Sequence, residues 1–323
     1  MIRWFKQYFA ISRNSFVHSL GDPFFLTLIL VLLVSLALFA SLPSFTFGGH
    51  LRLVRDQSLA LIFAGGCIAS SLGAVRILVE DIRRGAASVL LSRPVGAIGF
   101  ILGKWTGLVS AVMVVHFTAV IAMLWVTRFM PSEHDILDTV TISFYVASII
   151  LAIAMMAVKH YLFGGCYVWQ ANVALLCCFL TTFLIANFIA PTGSGQSFGE
   201  NVDWITAQGG FLLACGIIIF ISTIIPLTIL FDVPVFLIFC SSLFFLGLLG
   251  EYIITTGTSH VVTHNIAAIA IPNWQFFWIS DRLAENIGIG WGYWMFCIIH
   301  TILWTFLSLS IAVLIFNKRE VTD

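Results

Sequence analysis

The chain has 323 residues, 60% of them hydrophobic and only 9% charged, with fifteen basic residues balancing fifteen acidic ones. That composition lies outside the range of soluble domains and reads as a polytopic membrane protein. A zero net charge without a long basic run excludes a nucleic-acid partner, and the acidic residues are too dispersed to form a tail.

Residues 2–20, IRWFKQYFAISRNSFVHSL, alternate aromatic and basic positions at helical spacing before Asp22-Pro23 breaks the pattern. They predict an amphipathic helix over 1–22 lying on the cytoplasmic leaflet. The apolar run that follows lacks a small-x-small cleavage site, so it reads as a retained first span and not a signal peptide.

A hydrocarbon core is crossed by about twenty apolar residues in a helix, where every backbone amide is satisfied internally. Eight segments qualify, over 23–43, 58–79, 105–127, 138–158, 171–190, 209–230, 234–256 and 293–316. The turn at Asp232-Val-Pro234 is so short that six spans with a re-entrant pair also fit, which brackets the count at six to eight. The fold class is therefore an all-α transmembrane helix bundle, one domain over 23–316, with a tail over 317–323.

With the N-terminus inside, Arg3, Lys6, Arg13, Arg76, Arg83, Arg84, Arg93, Lys104, Lys159, Lys318 and Arg319 are cytoplasmic. Arg52, Arg55, Arg128 and Arg282 fall outside, and eleven against four sets both termini in the cytoplasm. The external segment over 257–292 is too polar to span, and its Trp274, Phe276, Phe277 and Trp278 suit the headgroup level.

Within the second span, Gly66, Ser70 and Gly73 or Ala74 recur at three- or four-residue steps, letting another helix approach closely. The same helix keeps its pattern past the membrane edge, where Arg76, Glu80 and Arg84 can pair along one face. Pro94 then interrupts the chain and suits a fresh helix start. A short cytoplasmic element results, with Val89, Leu90 and Leu91 on one side and Arg83, Arg84 and Arg93 on the other: an apolar wedge with basic edges.

The stretch EDIRRGAASVLLSRPVGAIGFILGKWTG, residues 80–107, resembles the corresponding loop of ABC-2 type permeases. In these an acidic residue, a basic pair, an S-x-L-L-S-R-P-V run and a G-K step recur. The closing IAVLIFNKREV and the external IPNWQFFWISDRL are similar to that family too. The resemblance implies the membrane half of an ATP-driven exporter, working as a homodimer or with a related permease on a separate cytosolic ATPase subunit. The coupling loop would be 80–104, with Arg83, Arg84, Gly85, Leu90, Leu91, Ser92, Arg93 and Pro94 at the ATPase contact and Lys104 where the chain re-enters the membrane. The place implied is a cell membrane, the bacterial inner membrane, in a multi-pass arrangement. No G-x-x-x-x-G-K-[ST] motif occurs, so ATP belongs to the partner, and neither a cofactor nor enzymatic activity is expected of this chain.

Other polar residues carry weaker signals. Ionisable groups in hydrocarbon are functional candidates by default, and His116, Glu251 and His300 qualify. Two histidines on different spans also admit a b-type haem held by His116 and His300, making the chain a membrane redox subunit; a two-haem relay, however, takes four. His260 and His264 share zinc-ligand spacing without the H-E-x-x-H pattern, and Asp281 with Glu285 reads as a solvated helix start, so no metal is assigned. Of the seven cysteines, Cys67, Cys177, Cys178, Cys215, Cys240 and Cys297 sit in apolar runs as small hydrophobes, and no disulfide framework follows. Pro226 inside the sixth span is tolerated by packed membrane helices.

Overall fold

The computed structural model describes residues 2–41, 50–79, 96–129, 138–164, 167–257, 272–280, 282, 285 and 287–322. Among them the chain is all-helical. Helix α1 covers Ile2–Leu20, α2 Pro23–Ser41, α3 His50–Ala74 with a π-helical turn Val75–Val79, α4 Ala97–Val126, and α5 Thr139–Phe163. Helix α6 covers Val168–Ala186, α7 Trp204–Leu230, α8 Val233–Gly257 and α9 Trp291–Thr322, with a 3-10 turn at Trp274–Phe277 before the last. Eight of these, α2 to α9, are long and apolar enough to cross a membrane.

The eight crossings alternate between two ends of one bundle. At the end that carries α1, here the near end, Arg76 Nε bonds Asp22 Oδ2 at 2.9 Å and the rings of Phe100 and Phe316 stack at 5.5 Å. The start of α2, the end of α3, the start of α4 and the end of α9 thus lie at that end. At the far end, Arg55 Nε lies 2.5 Å from Asp203 Oδ2, and Gln208 Oε1 accepts the Ile289 N–H at 2.9 Å. The Asp232 turn is tight and helical on both sides, with the Phe236 N–H bonded to the Asp232 carbonyl at 2.8 Å. Asp232 accordingly belongs to the near end and Ser197 to the far one. Among the described residues the helices at the upper end of the six-to-eight bracket are all present, each long and apolar enough to cross a membrane.

Helices α3, α4 and α7 form the middle of the bundle and bury most of their side chains, whereas α5, α8 and α9 turn apolar faces outward. Ile150, Leu162, Ile238, Phe245, Leu303 and Phe306 are all more than half exposed. Such faces are unstable in water and natural against lipid chains. The small residues of α3 serve contacts within the chain: a Cβ at Gly66 would strike Ile217 of α7, and one at Gly73 would meet Leu108 of α4 and Phe25 of α2.

Three element boundaries differ from the sequence expectation. Helix α4 begins at Ala97, eight residues before the predicted span, so that Lys104 is buried inside it with its ammonium 5.7 Å from the Phe100 ring. Helix α3 reaches back to His50 because Arg52 and Asp56 pair along its first turns. The predicted tail over 317–323 continues α9 to Thr322.

Candidate functional site

The geometry of the near end, where α1 packs, is set by glycines. On α4, Gly99, Gly103 and Gly107 recur at four-residue steps and form a bare strip. Helix α1 lies along it: a Cβ would stand 3.2 Å from Trp4 Nε1 at Gly99, 2.8 Å from Ile11 Cγ2 at Gly103, and 2.5 Å from the Ser12 carbonyl oxygen at Gly107. Thr106 Oγ1 donates to Ser12 Oγ at 3.0 Å across the same seam. The C-terminus of α1 is held by Asn172 of α6, whose Nδ2 donates to the Leu20 carbonyl at 2.8 Å.

Helix α1 is therefore not simply laid on a membrane surface. One face is clamped to α4 and the opposite face carries exposed Phe5, Phe9, Lys6 and Arg13. The amphipathic pattern was correctly legible, but the docking face was not. A G-x-x-x-G-x-x-x-G signal stood in the sequence and identifies such a strip without saying which helix fills it.

The stretch 80–95 begins directly after the π-turn Val75–Val79 and ends one residue before α4. Arg83, Arg84, Gly85, Leu90, Leu91, Ser92, Arg93 and Pro94 lie outside the described residues, as do Glu80 and Val89. What the structure does describe is the frame around them. A π-turn widens the helix by one residue per turn and disturbs the four-residue side-chain register. Arg76, which belongs to that turn, faces Asp22 at the α1–α2 junction. The Asp22 carboxylate also accepts the Phe24 N–H at 2.9 Å, so one acidic group ties the start of α2 to the end of α3.

Below this frame, hydrogen bonds join α4, α7 and α9 inside the bundle. Trp105 Nε1 donates to Ser222 Oγ at 3.0 Å, Ser222 Oγ lies 3.1 Å from Thr305 Oγ1, and Trp304 Nε1 donates to Thr223 Oγ1 at 2.8 Å. The Ser222 and Thr223 hydroxyls also bond the backbone of their own helix, to the Ile218 and Ile219 carbonyls.

The far end is pinned by charge. Arg55 and Asp203 are nearly buried, and Asp203 simultaneously caps α7 through Thr206. Asp56 accepts from Ser280 Oγ, which ties the segment before α9 to α3. Arg128, just past α4, donates to the Ala186 carbonyl at 3.3 Å, Asn187 Oδ1 at 3.0 Å and the Ile189 carbonyl at 3.1 Å. Burial pulls the Arg128 pKa down and the charge of Asp138 partly restores it. Asp138 itself caps α5, accepting the Thr141 N–H at 2.9 Å.

The predicted intramembrane candidates are dispersed. His116, buried in α4, has its Nε2 2.9 Å from the Gly210 carbonyl of α7. A carbonyl only accepts, so Nε2 holds the proton. His300 on α9 sits in an aromatic nest of Phe276, Phe277, Phe296 and Trp304, with ring centroids 5.9–6.3 Å away. The contacts of the two histidines differ: Gly210 and Phe117 for His116, and the four aromatic rings for His300. Glu251 belongs to α8 and its side chain lies outside the described residues, as do His260, His264 and Asp281.

The aromatic residues of the segment before α9 pack against the bundle. Trp274 and Phe277 are buried, and only Phe276 is exposed. The Trp274 indole lies directly on Gly247 of α8 and donates its Nε1 proton to the Phe244 carbonyl at 3.2 Å. Phe63 of α3 and Phe220 of α7 complete the socket, with centroids 5.7 and 6.0 Å from Trp274.

Set beside models of known protein families and beside curated proteins, the chain matches none of them.

Proposed function

We propose that this chain is the transmembrane permease subunit of an ATP-driven ABC-2 type exporter. A separate cytosolic ATPase subunit, engaged through residues 80–104, supplies the work, and the permease pairs with a second copy or a related chain. The observation that carries the reading is the sequence of that loop, with its basic pair Arg83-Arg84 and its S-x-L-L-S-R-P-V run. Its setting supports the assignment: the loop joins two long helices in the middle of the bundle, and the near end is the end to which the eleven basic residues point as cytoplasmic. ATP binding draws the partner subunits together, and rigid helices pass the displacement of the loop inward. A bundle so poor in charge favours lipid-like, polymeric or otherwise hydrophobic cargo, or mechanical work on a membrane partner, over ionic substrates.

Affinity purification of the tagged chain from its native membrane is expected to bring down a nucleotide-hydrolysing subunit. Reversing Arg83 and Arg84 to glutamate is expected to abolish that capture or disconnect turnover from the permease. Capture and turnover unchanged in the double variant, or no nucleotide-hydrolysing companion at all, overturn the proposal.

A further inference from the structure

The loop between α6 and α7, residues 187–203, folds back on itself at the far end. Ile189 and Gly195 pair in an antiparallel bridge, the Gln196 N–H donates to the Phe188 carbonyl at 2.9 Å, and Gly193 and Gly199 take the positive φ that the bends require. The root of the loop is held by the buried Arg128, through Asn187 Oδ1 and the Ala186 and Ile189 carbonyls. A loop fixed in this way loses little further entropy when it meets a partner.

On this base three aromatic rings stand in the open: Phe188, Phe198 and Trp204 are 56%, 48% and 45% exposed. Gly199 makes room for the third, since a Cβ there would stand 2.7 Å from the Trp204 ring, and Trp204 Nε1 donates to the Gly199 carbonyl at 3.1 Å. Ring centroids 5.2 Å apart for Phe188 and Phe198, and 6.2 Å apart for Phe198 and Trp204, put the rings in mutual contact and leave no gap for a small ligand between them. They form a ledge and not a cage. Glu200 and Asp203 are the only charged residues over 187–204, and Asp203 is spent on Arg55, so the ledge carries no basic group to draw an anion.

What covers the ledge follows from where it stands. Leu180, Leu184 and Phe188 recur at four-residue steps as one exposed line, and Trp204 and the half-exposed Phe211 share a face of α7 seven residues apart. The ledge thus continues the outward apolar sides of two membrane helices. Its height agrees: the nineteen residues of α6 rise about 28 Å at 1.5 Å each, close to the roughly 30 Å of a hydrocarbon core, so Ala186 stands at the core's boundary and Phe188 just beyond it. Trp204 shares that level, because its ring lies 6.4 Å from Phe183 in the last turn of α6. We propose that Phe188, Phe198 and Trp204 dock the loop onto the far-end leaflet, with their rings among the glycerol and carbonyl groups of zwitterionic phospholipids, the level at which aromatic side chains collect. The inference needs only the membrane bundle and is independent of the exporter reading.

The test uses the full chain in phosphatidylcholine nanodiscs containing a trace of phosphatidylcholine with a diazirine at either the glycerol end or the methyl end of one acyl chain. After illumination, adducts are mapped by mass spectrometry and normalised to labelling by a water-soluble diazirine. We expect the glycerol-end probe to label 188, 198 and 204 about tenfold above the loop's own tip at 192–195, the ratio given by a preference of about 1.4 kcal/mol, and the methyl-end probe to label the middle of α6 instead. Equal labelling of ledge and tip overturns the proposal in the wild-type chain alone. In native membranes, Phe198→p-benzoylphenylalanine is expected to capture phospholipid on illumination. Capture of a second copy or of another protein in its place assigns the ledge to a protein contact and overturns the proposal as well.

Discussion

Replacing Gly107 by alanine places a methyl group 2.5 Å from the Ser12 carbonyl oxygen, 2.5 Å from Ser15 Cβ and 3.0 Å from the Phe16 backbone nitrogen. Two of these atoms are backbone of α1, so no side-chain rotation relieves the contact. Overpacking of this kind costs about 1–3 kcal/mol, and the absence of a yielding partner puts Gly107→Ala near the top of that range. The helix propensity of alanine returns about 1 kcal/mol, which leaves α1 destabilised on α4 by roughly 2 kcal/mol, or about thirtyfold in its undocking equilibrium. Gly103→Ala meets only the Ile11 side chain closely and should cost less, and Gly99→Ala touches the edge of the Trp4 indole at 3.2 Å and should be near neutral. Gly96→Ala has nothing within 4 Å and serves as the control. Hydrogen exchange of the 2–20 amides in nanodiscs reads the series directly, and protection is expected to fall in the order Gly107, Gly103, Gly99, Gly96. Wild-type protection in Gly107→Ala, or equal loss in Gly96→Ala, would refute the docking of α1 on this strip.

At the far end, Arg55→Ala strands the nearly buried Asp203 carboxylate and is expected to destabilise the protein by about 3–5 kcal/mol; the double variant with Asp203→Ala should recover part of this, as thermal unfolding in detergent will show. Gly247→Ala puts a Cβ into the Trp274 indole, so Trp274 should leave its socket, with a red-shifted emission measurable in a variant that retains Trp274 alone. His116→Phe removes the donor to the Gly210 carbonyl and should cost about 1–3 kcal/mol on the same unfolding assay. Absorption spectroscopy of the purified chain is expected to show no Soret band, and a band that vanishes with His116→Phe would reinstate a haem pair.

How much of this was legible follows from which constraint dominates each element. Span existence is dictated by the bilayer, which needs about twenty apolar residues whatever their neighbours, and eight were found. Boundaries depend on neighbours: Lys104 looked like a membrane edge because a cation in hydrocarbon is expensive, yet it lies within α4 beside Phe100, where the glycine strip brings α1 alongside. Arg76 was read as one member of an i, i+4 series with Glu80, which lies outside the described residues; its bond to Asp22, fifty-four residues away in sequence, is a contact that helical spacing does not announce. The aromatic run at 274–278 was legible as composition, but the burial of Trp274 was not, because it rests on Gly247, whose missing side chain opens the socket for that indole.

The two ends of the bundle are held by different physics, and the difference bears on how it can move. The far end is joined by short, directional contacts: Arg55 to Asp203, Asp56 to Ser280, Arg128 to three acceptors around Asn187. Breaking one of these leaves a charge with little water to receive it, so that end resists gradual displacement. The near-end seam between α1 and α4 is mostly glycine against α1, a contact of dispersion and shape with the Thr106–Ser12 hydroxyl pair across it, and the Arg76–Asp22 ion pair beside it is half open to solvent on the arginine. Packed helices slide against each other by small steps at modest cost when no buried charge must be unpaired. On the proposed exporter reading, a force delivered through residues 80–104 would meet a seam that can shear, with the far-end charges as the pivot. If that division is right, Arg55→Lys, which keeps the charge and loosens the geometry, should raise amide exchange at the start of α7 while leaving the 2–20 amides as they were. Equal loosening of both ends would mean that the bundle moves as one block.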